Sequence, residues 1–256
     1  MKSLLILCVL FLAGINMAAP IPPAGVIFKP TFLTGDDSLT AGTGFVARFN
    51  GTCVFVTAHH LFGPAGGLKE NLGPYAAIRF ALALAALPMD NRTNVLTSTH
   101  MLYISSARAF SNDDSSKDVA AFLLPDYAGR ALRISLHPPQ PGDTVYLYAR
   151  PRGEDWLKLI VGKVTGNSSA GLQYVYDNGK FDFAGTSGAP ILNDAGEVVG
   201  INLGGGISQN HEFGFANPVQ SFYPLILNAI KLEAQRTAVS TNAATGPPGT
   251  IMPLEH

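Results

Sequence analysis

Short apolar runs separated by polar, turn-forming clusters follow one another along most of this chain. Runs such as "TCVFVTA", "TVYLYAR", "LQYVYD" and "EVVGINL" are rich in β-branched and aromatic residues, and Gly, Asn and Asp stand between them. Many short strands at this spacing are typical of an antiparallel β-sandwich or β-barrel. The pattern therefore predicts an all-β fold.

One proline-rich stretch divides these strands into two groups of comparable length. It is "LHPPQPGD", Leu136 to Asp143. Proline cannot donate a hydrogen bond to a strand ladder, so this stretch is typical of a linker. We therefore expect two β subdomains, at residues 20–135 and 136–235.

Two segments depart from the strand pattern. "YAAIRFALALAALP" fits a helix or a buried strand, and periodicity does not separate the two. "SFYPLILNAIKLEAQR" predicts a helix that begins close to Pro224. The residues of this helix that we expect to face the core are Leu225, Ile226, Ile230 and Leu232. Residues 236–256 are poor in large apolar side chains and predict a flexible tail.

The start of the chain has the pattern of a secretory signal peptide. Lys2 is followed by an apolar run from Leu4 to Ile15 and then by small residues. The prediction is a cleaved signal over residues 1–19, with an uncleaved anchor or a plain apolar tail as the alternative. We therefore expect a secreted or periplasmic protein. Cleavage would leave Cys53 as the one cysteine, so no internal disulfide is expected.

Composition argues against several classes of function. The net charge is −1 and only 14% of residues are charged, which provides no basic surface for nucleic acid or anionic lipid. No glycine loop of the nucleotide-binding type occurs, and no metal-ligand spacing. We expect no cofactor, no metal, no nucleic acid and, after signal removal, no membrane partner.

Three side chains stand in an order that indicates nucleophilic catalysis. His60 follows a strand in "VTAHHL", Asp118 precedes one in "VAAFLL", and Ser187 lies between glycines in "GTSGAP". Taken singly, each also fits an ordinary loop or turn residue. A serine hydroxyl needs a base within reach, histidine supplies one near neutral pH, and a carboxylate orients the imidazole. The backbone N–H groups of Gly185 and Ser187 are the expected oxyanion donors.

The motifs "VTAHHL", "KDVAAFLL" and "GTSGAPIL" resemble the three active-site motifs of trypsin-like (chymotrypsin-fold) serine peptidases, in that family's order, across roughly Gly42 to Val219. The resemblance implies two antiparallel six-stranded β-barrels with the active site in the cleft between them, then a C-terminal helix. It also implies that His60, rather than His59, is the base. An α/β-hydrolase is disfavoured, since its triad runs Ser, Asp, His and its elbow has glycine where Ala189 stands.

Within that family the chain is most similar to bacterial glutamyl endopeptidase-like and HtrA-like peptidases without a PDZ domain. "EVVGINLGGG" followed by "FGFANPV" resembles the strands that line their substrate pocket. This implies that Phe181, Asn202, Gly204 and Gly205 bind substrate. Asn202 replaces the histidine of the glutamyl-specific enzymes, and Phe181 falls at the pocket floor, so we expect an uncharged, apolar P1 residue. Thr186 replaces the aspartate that pairs with a new N-terminus in digestive enzymes, so activation by that ion pair is not expected.

The sequence thus predicts a monomeric secreted serine endopeptidase that acts on peptides or proteins through an acyl-enzyme. The alternative is a trypsin-fold binding protein that has lost turnover and keeps the cleft for recognition. The complete set of His60, Asp118 and Ser187 favours the enzyme.

Overall fold

A computed structural model describes residues 19–90, 93–111, 113–176, 182–208 and 211–244, with side chains up to residue 238. Residues 1–18 of the predicted signal peptide and residues 245–256 of the predicted tail lie outside this description. In the described part, no helix has the length and apolar character needed to cross a membrane.

The amino-terminal half is a single β-sheet. Its strands are β1 (Ile27–Leu33), β2 (Ser38–Thr40), β3 (Gly44–Phe49), β4 (Thr52–Thr57), β5 (Ala83–Pro88), β6 (Leu96–Ser98), β7 (Ala120–Leu123) and β8 (Leu132–Arg133). Six of them form the path β6-β5-β1-β3-β4-β7, to which β2 adds beside β1 and β8 beside β3. The β8–β3 pair is parallel, and the other pairs are antiparallel.

The two ends of this path meet, because the chain just after β6 bonds to β7. The backbone N–H of Leu102 donates to the Ala121 carbonyl at 2.8 Å, and that of Leu123 donates to the His100 carbonyl at 2.8 Å. The sheet therefore curls back on itself. The six strands of the main path agree with the predicted six-stranded barrel. The sequence pattern did not predict β2 and β8 as separate strands.

The carboxy-terminal half is a closed antiparallel barrel of six strands, as predicted. Its strands are β9 (Thr144–Ala149), β10 (Lys158–Asn167), β11 (Leu172–Tyr176), β12 (Pro190–Leu192), β13 (Val198–Ser208) and β14 (His211–Pro218), in the order β10-β11-β14-β13-β12-β9. The proline-rich stretch at 136–143 lies between β8 and β9, outside both sheets.

Each half is filled by side chains from the inward faces of its strands. In the amino-terminal half the rings of Phe32 and Phe62 lie 4.6 Å apart, and Phe122 stacks on Phe32 at 6.0 Å. In the barrel, Leu147, Tyr174 and other buried residues form a second cluster. Aromatic rings bury a large area per residue, so these cores hold the strand ends, and the loops on them, in fixed positions.

The segment that periodicity left open contains both a helix and a strand. Helix α1 (Pro74–Phe80) has Pro74 in its first turn, where its missing N–H costs nothing, and β5 follows. Helix α2 (Val219–Ala244) starts before Pro224, as the sequence predicts, and continues through the residues expected to begin the tail. Ile226 is fully buried, but Leu232 is 41% exposed, so the expected core contact of Leu232 is wrong.

Candidate active site

His60 lies in a short 3₁₀ turn (His59–Phe62) just after β4. Its ring Nδ1 donates to Asp118 Oδ2 at 2.8 Å, and its backbone N–H donates to Asp118 Oδ1 at 2.9 Å. Both residues are buried, with exposed fractions of 4% and 0%. Two hydrogen bonds to the same carboxylate orient the ring and place the proton on Nδ1, which leaves Nε2 free to act as a base.

Asp118, two residues before β7, receives a further donor from outside this pair. The backbone N–H of Phe110 donates to Asp118 Oδ2 at 2.9 Å. Asn217 Nδ2 donates to the main-chain carbonyl of Asp118 at 3.3 Å. A buried carboxylate is stable only with such partners, and Asp118 has three N–H donors on its two oxygens. The ring of Phe110 also stands edge-on to His60, with centroids 5.2 Å apart, and shields the pair.

His59 has a different environment. Its Nε2 donates to the Leu72 carbonyl at 2.8 Å, and its ring packs against Phe62 at 5.8 Å. Burial lowers the pKa of His59. The structure therefore places His60, and not His59, on the carboxylate of Asp118.

Ser187 lies in a tight turn that leads into β12. Gly185 and Gly188 both have φ of +88°, a conformation that favours glycine. A Cβ on Gly188 would lie 2.2 Å from the Thr43 carbonyl oxygen and 2.3 Å from Thr57 Oγ1. The turn thus packs directly on the end of β4, the strand that leads to His60. The turn that carries the predicted nucleophile therefore packs on the segment that leads to the predicted base, where the two halves of the molecule meet.

The hydroxyl of Ser187 has a partner of its own. Ser187 Oγ donates to the Leu203 carbonyl at 3.1 Å, and no hydrogen bond joins it to His60 in the described part of the chain. Catalytic hydrogen bonds are often long or misaligned without substrate. Because the hydroxyl has one proton, its transfer to His60 requires Ser187 to leave Leu203.

Two backbone N–H groups of the serine turn have no hydrogen-bond acceptor within the described part of the chain. Those of Gly185 and Ser187 donate to no group among the described residues, whereas the N–H of Thr186 donates to the Phe183 carbonyl at 3.1 Å. Thr43 Oγ1 donates to the Gly185 carbonyl at 2.6 Å. This bond holds in place the Gly185–Thr186 peptide, which lies between the two N–H groups. Two unpaired N–H groups next to a nucleophile are what a developing oxyanion requires.

The family model of the trypsin-like peptidase domain matches residues 42–201, which contain His60, Asp118, Ser187 and the free N–H groups. The chain belongs to the trypsin-like peptidases.

Solved structures have the same fold as this trypsin-like peptidase. A protease from M. tuberculosis in its active form is 16% identical with a TM-score of 0.51, over 80% of each chain. A serine endoprotease from Yersinia pestis is 18% identical with a TM-score of 0.53, over 81% of this chain and 64% of that one. A thermostable serine protease from an extremophilic microorganism is 19% identical with a TM-score of 0.52, over 75% and 90%. No curated protein matches the sequence significantly.

The predicted substrate-binding residues of this peptidase have different surroundings. Gly204 and Gly205 lie on a partly exposed edge of β13, and Gly205 pairs with Gly214 of β14. A Cβ on Gly205 would lie 2.4 Å from the ring of Phe183, so only glycine fits there. Phe181 lies outside the described residues. The described residues contain no group of three or more His, Cys, Asp or Glu that could hold a metal ion.

Asn202, which the sequence predicts to bind substrate, is fully buried behind the serine turn. Its Nδ2 donates to the carbonyl and to Oγ1 of Thr186, both at 3.0 Å. Its Oδ1 accepts the hydroxyl of Tyr174 at 2.6 Å. Asn202 therefore positions the serine turn of the peptidase from behind. The sequence does not predict this role, nor the contacts of Asn217 and Phe110 with Asp118 and His60, because strand pairing and loop packing bring these residues to the site.

We expect Tyr174→Phe to lower the free energy of unfolding by about 1–3 kcal/mol, since it leaves the buried Oδ1 of Asn202 without a donor. Urea denaturation measures the loss. Tyr223→Phe is the matched control, because its hydroxyl makes an exposed hydrogen bond to Asn50 at 3.1 Å. Equal losses in the two variants would contradict a special role for the Tyr174–Asn202 pair.

Proposed function

We propose that this trypsin-like peptidase is a secreted or periplasmic serine endopeptidase that acts as a monomer, with Ser187 as nucleophile, His60 as general base and Asp118 as orienting carboxylate. The observation that carries the proposal is the doubly bonded His60–Asp118 pair, at 2.8 and 2.9 Å, next to a glycine turn with two free N–H groups. Secretion rests on the apolar run at the start of the chain.

The geometry supports acyl transfer in two stages. Ser187 Oγ leaves Leu203, gives its proton to His60 Nε2 and attacks the scissile carbonyl carbon. The N–H groups of Gly185 and Ser187 bind the resulting oxyanion. His60 then gives the proton to the leaving amine, and the peptide bond breaks to form an ester on Ser187. In the second stage His60 takes a proton from water as the hydroxide attacks the ester carbon, and the same N–H groups bind the oxyanion. The ester bond then breaks, His60 returns the proton to Ser187 Oγ, and the acid product leaves with the free enzyme restored. Asp118 keeps its hydrogen bond to His60 Nδ1 throughout and stabilises the imidazolium.

The glycine edge of β13 supports a preference for an uncharged, apolar P1 residue. A Cβ built on Gly204, Gly205 or Gly206 would meet the rings of Phe215, Phe183 and Phe213 respectively. These neighbours carry no charge. Burial of apolar surface against such rings stabilises an apolar side chain more than a charged one.

Labelling of the purified protein with a fluorophosphonate probe tests the proposal. We expect about one label per molecule, because an activated serine attacks the phosphorus while the probe's oxyanion occupies the N–H pair. Ser187→Ala should abolish labelling, and His60→Ala should reduce it strongly. Ser38→Ala, which removes an exposed hydroxyl on β2, is the control and should label as wild type. Absence of wild-type labelling, or equal labelling of Ser187→Ala, would overturn the proposal.

A further inference from the structure

A cleft lies beside Gly185, one of the two expected oxyanion donors. Its volume is about 570 Å³, and its walls include Gly42, Gly185 and Arg152, but none of the glycines at 204–206. The proposed P1 site lies along β13, whose glycines do not line this cleft, so we place the leaving-group side of the substrate past Gly185. The cleft is therefore in position to receive the first residues after the scissile bond.

Two cations in this cleft have no carboxylate partner among the residues that the structure describes. Lys29, which is half-buried, donates from Nζ to the Gly42 carbonyl at 2.9 Å. Arg150 also lines the cleft and is half-buried. Burial and the nearby charge of Arg150 lower the pKa of Lys29. No carboxylate among the described residues lies within 4 Å of either side chain.

Most of the other charged side chains that line the cleft form ion pairs of their own. Arg152 pairs with Asp182 at 3.6 Å, and Glu154 pairs with Lys158 at 2.9 Å. Asp155, the remaining acid, is exposed to solvent. The unbalanced charge of the cleft is therefore positive, and it is concentrated at Lys29 and Arg150.

Lys29 is also tied to the catalytic turn. The Gly42 carbonyl that it binds belongs to the peptide joined to Thr43, and the N–H of Thr43 donates to the Ser187 carbonyl at 2.8 Å. A Cβ on Gly42 would lie 2.7 Å from the same Ser187 oxygen. The Lys29 ammonium is thus connected to the main chain of Ser187 through a single peptide group, Gly42–Thr43.

We propose that this cleft binds the carboxylate of an acidic side chain in the substrate, at the first or second residue on the leaving-group side of the scissile bond. The proposal rests on the proposed peptidase function. A guanidinium offers two parallel N–H donors to a carboxylate, and the ammonium of Lys29 adds a point charge beside it. An acidic side chain would thus supply the missing anionic partner for both cations.

Cleavage of matched peptides tests this site. A set of quenched fluorescent peptides with one fixed unprimed sequence, selected from a randomised library, carries Glu, Gln or Lys at either of the two leaving-group positions. We expect kcat/KM for Glu to exceed that for Gln by about tenfold at one of the two positions, and Lys to be worst. The Glu preference should shrink as salt screens the charges.

Variants assign the preference to the two cations. Arg150→Gln and Lys29→Met should each reduce the Glu-to-Gln ratio severalfold, because each removes one of the two charges. Arg150→Lys keeps the charge and should retain much of the preference. Lys231→Met removes an equal charge on the exposed face of α2 and should leave the ratio unchanged.

The outcomes separate this inference from the proposed function. Cleavage with a wild-type ratio near one, in protein that labels at Ser187, would overturn the acidic site and leave the peptidase intact. A preference that survives both Arg150→Gln and Lys29→Met would also overturn the site. Failure of Ser187 to label, together with no cleavage of any library peptide, would overturn both.

Discussion

We expect Asp118→Asn to lower kcat by about 10³- to 10⁴-fold while the protein remains folded. The reason is that all three partners of the carboxylate are N–H donors: His60 Nδ1 and the backbone N–H of Phe110 on Oδ2, and the backbone N–H of His60 on Oδ1. Both oxygens of the carboxylate accept from N–H groups. An asparagine amide would therefore place its NH₂ group against at least one N–H donor, whichever way it is turned. His60 then favours the tautomer with the proton on Nε2, which cannot accept the proton of Ser187.

Steady-state kinetics on a library-selected peptide, with thermal unfolding in parallel, measures the effect. Because a buried donor loses its acceptor, the free energy of unfolding should also fall, by about 1–3 kcal/mol. Asp126→Asn changes an exposed carboxylate and is the matched control. A kcat of Asp118→Asn close to that of this control would show that His60 does not depend on Asp118 for its tautomer.

The second large effect is expected from Gly188→Ala, which should lower the free energy of unfolding by about 2–4 kcal/mol and kcat/KM by about 10²-fold. The added Cβ would lie 2.2 Å from the Thr43 carbonyl and 3.0 Å from the Ala58 backbone nitrogen. These are backbone atoms, which cannot move aside as the end of a side chain can. The serine turn must therefore shift away from the strand that carries His60.

Gly51→Ala separates the clash from backbone strain. Gly51 also has a positive φ, +90°, but nothing lies within 4 Å of the position its Cβ would take. This variant should cost only the strain of a left-handed alanine, about 1–2 kcal/mol, without loss of activity. Urea denaturation and peptide hydrolysis on both proteins make the comparison. Equal stability losses, with full activity in Gly188→Ala, would show that the turn does not depend on this packing.

The position of Ser187 links these two predictions to the resting state of the site. Its hydroxyl donates to the Leu203 carbonyl, so the proposed proton transfer to His60 requires the Ser187 side chain to rotate. The N–H groups of Gly185 and Ser187 donate to no group among the described residues. In the proposed mechanism the oxyanion donors are therefore available before the substrate binds, and the proton-transfer step is the part that rearranges.

Local chemistry explains how much of the site could be predicted from the sequence. The alternation of apolar residues marked the strands, and the residues at their ends marked His60, Asp118 and Ser187, because loops at strand ends carry functional groups on a rigid scaffold. The glycines around Ser187 indicated a turn that needs positive φ, which Gly185 and Gly188 have. These features depend on a few neighbouring residues, so the sequence shows them directly.

Other features depend on residues far apart in the chain. Asn202, a predicted substrate-binding residue, bonds to Thr186 from inside the barrel. Its direction follows from the register of β13 against its neighbours, and a shift of one residue would send the side chain to the opposite face. The meeting of β6 and β7, and the run of α2 to Ala244, likewise depend on packing that no local pattern specifies.

The sequence by itself determined the all-β class, the division into two halves, the C-terminal helix and the ordered trio of site residues, since each follows from side-chain period or from the chemistry of adjacent residues. Only the tertiary structure decided which groups share a site. It placed Lys29 and Arg150 in one cleft beside Gly185, and it paired Asn202 with Thr186. The physical reason is that such contacts arise from strand pairing and barrel closure, which join residues that are distant along the chain.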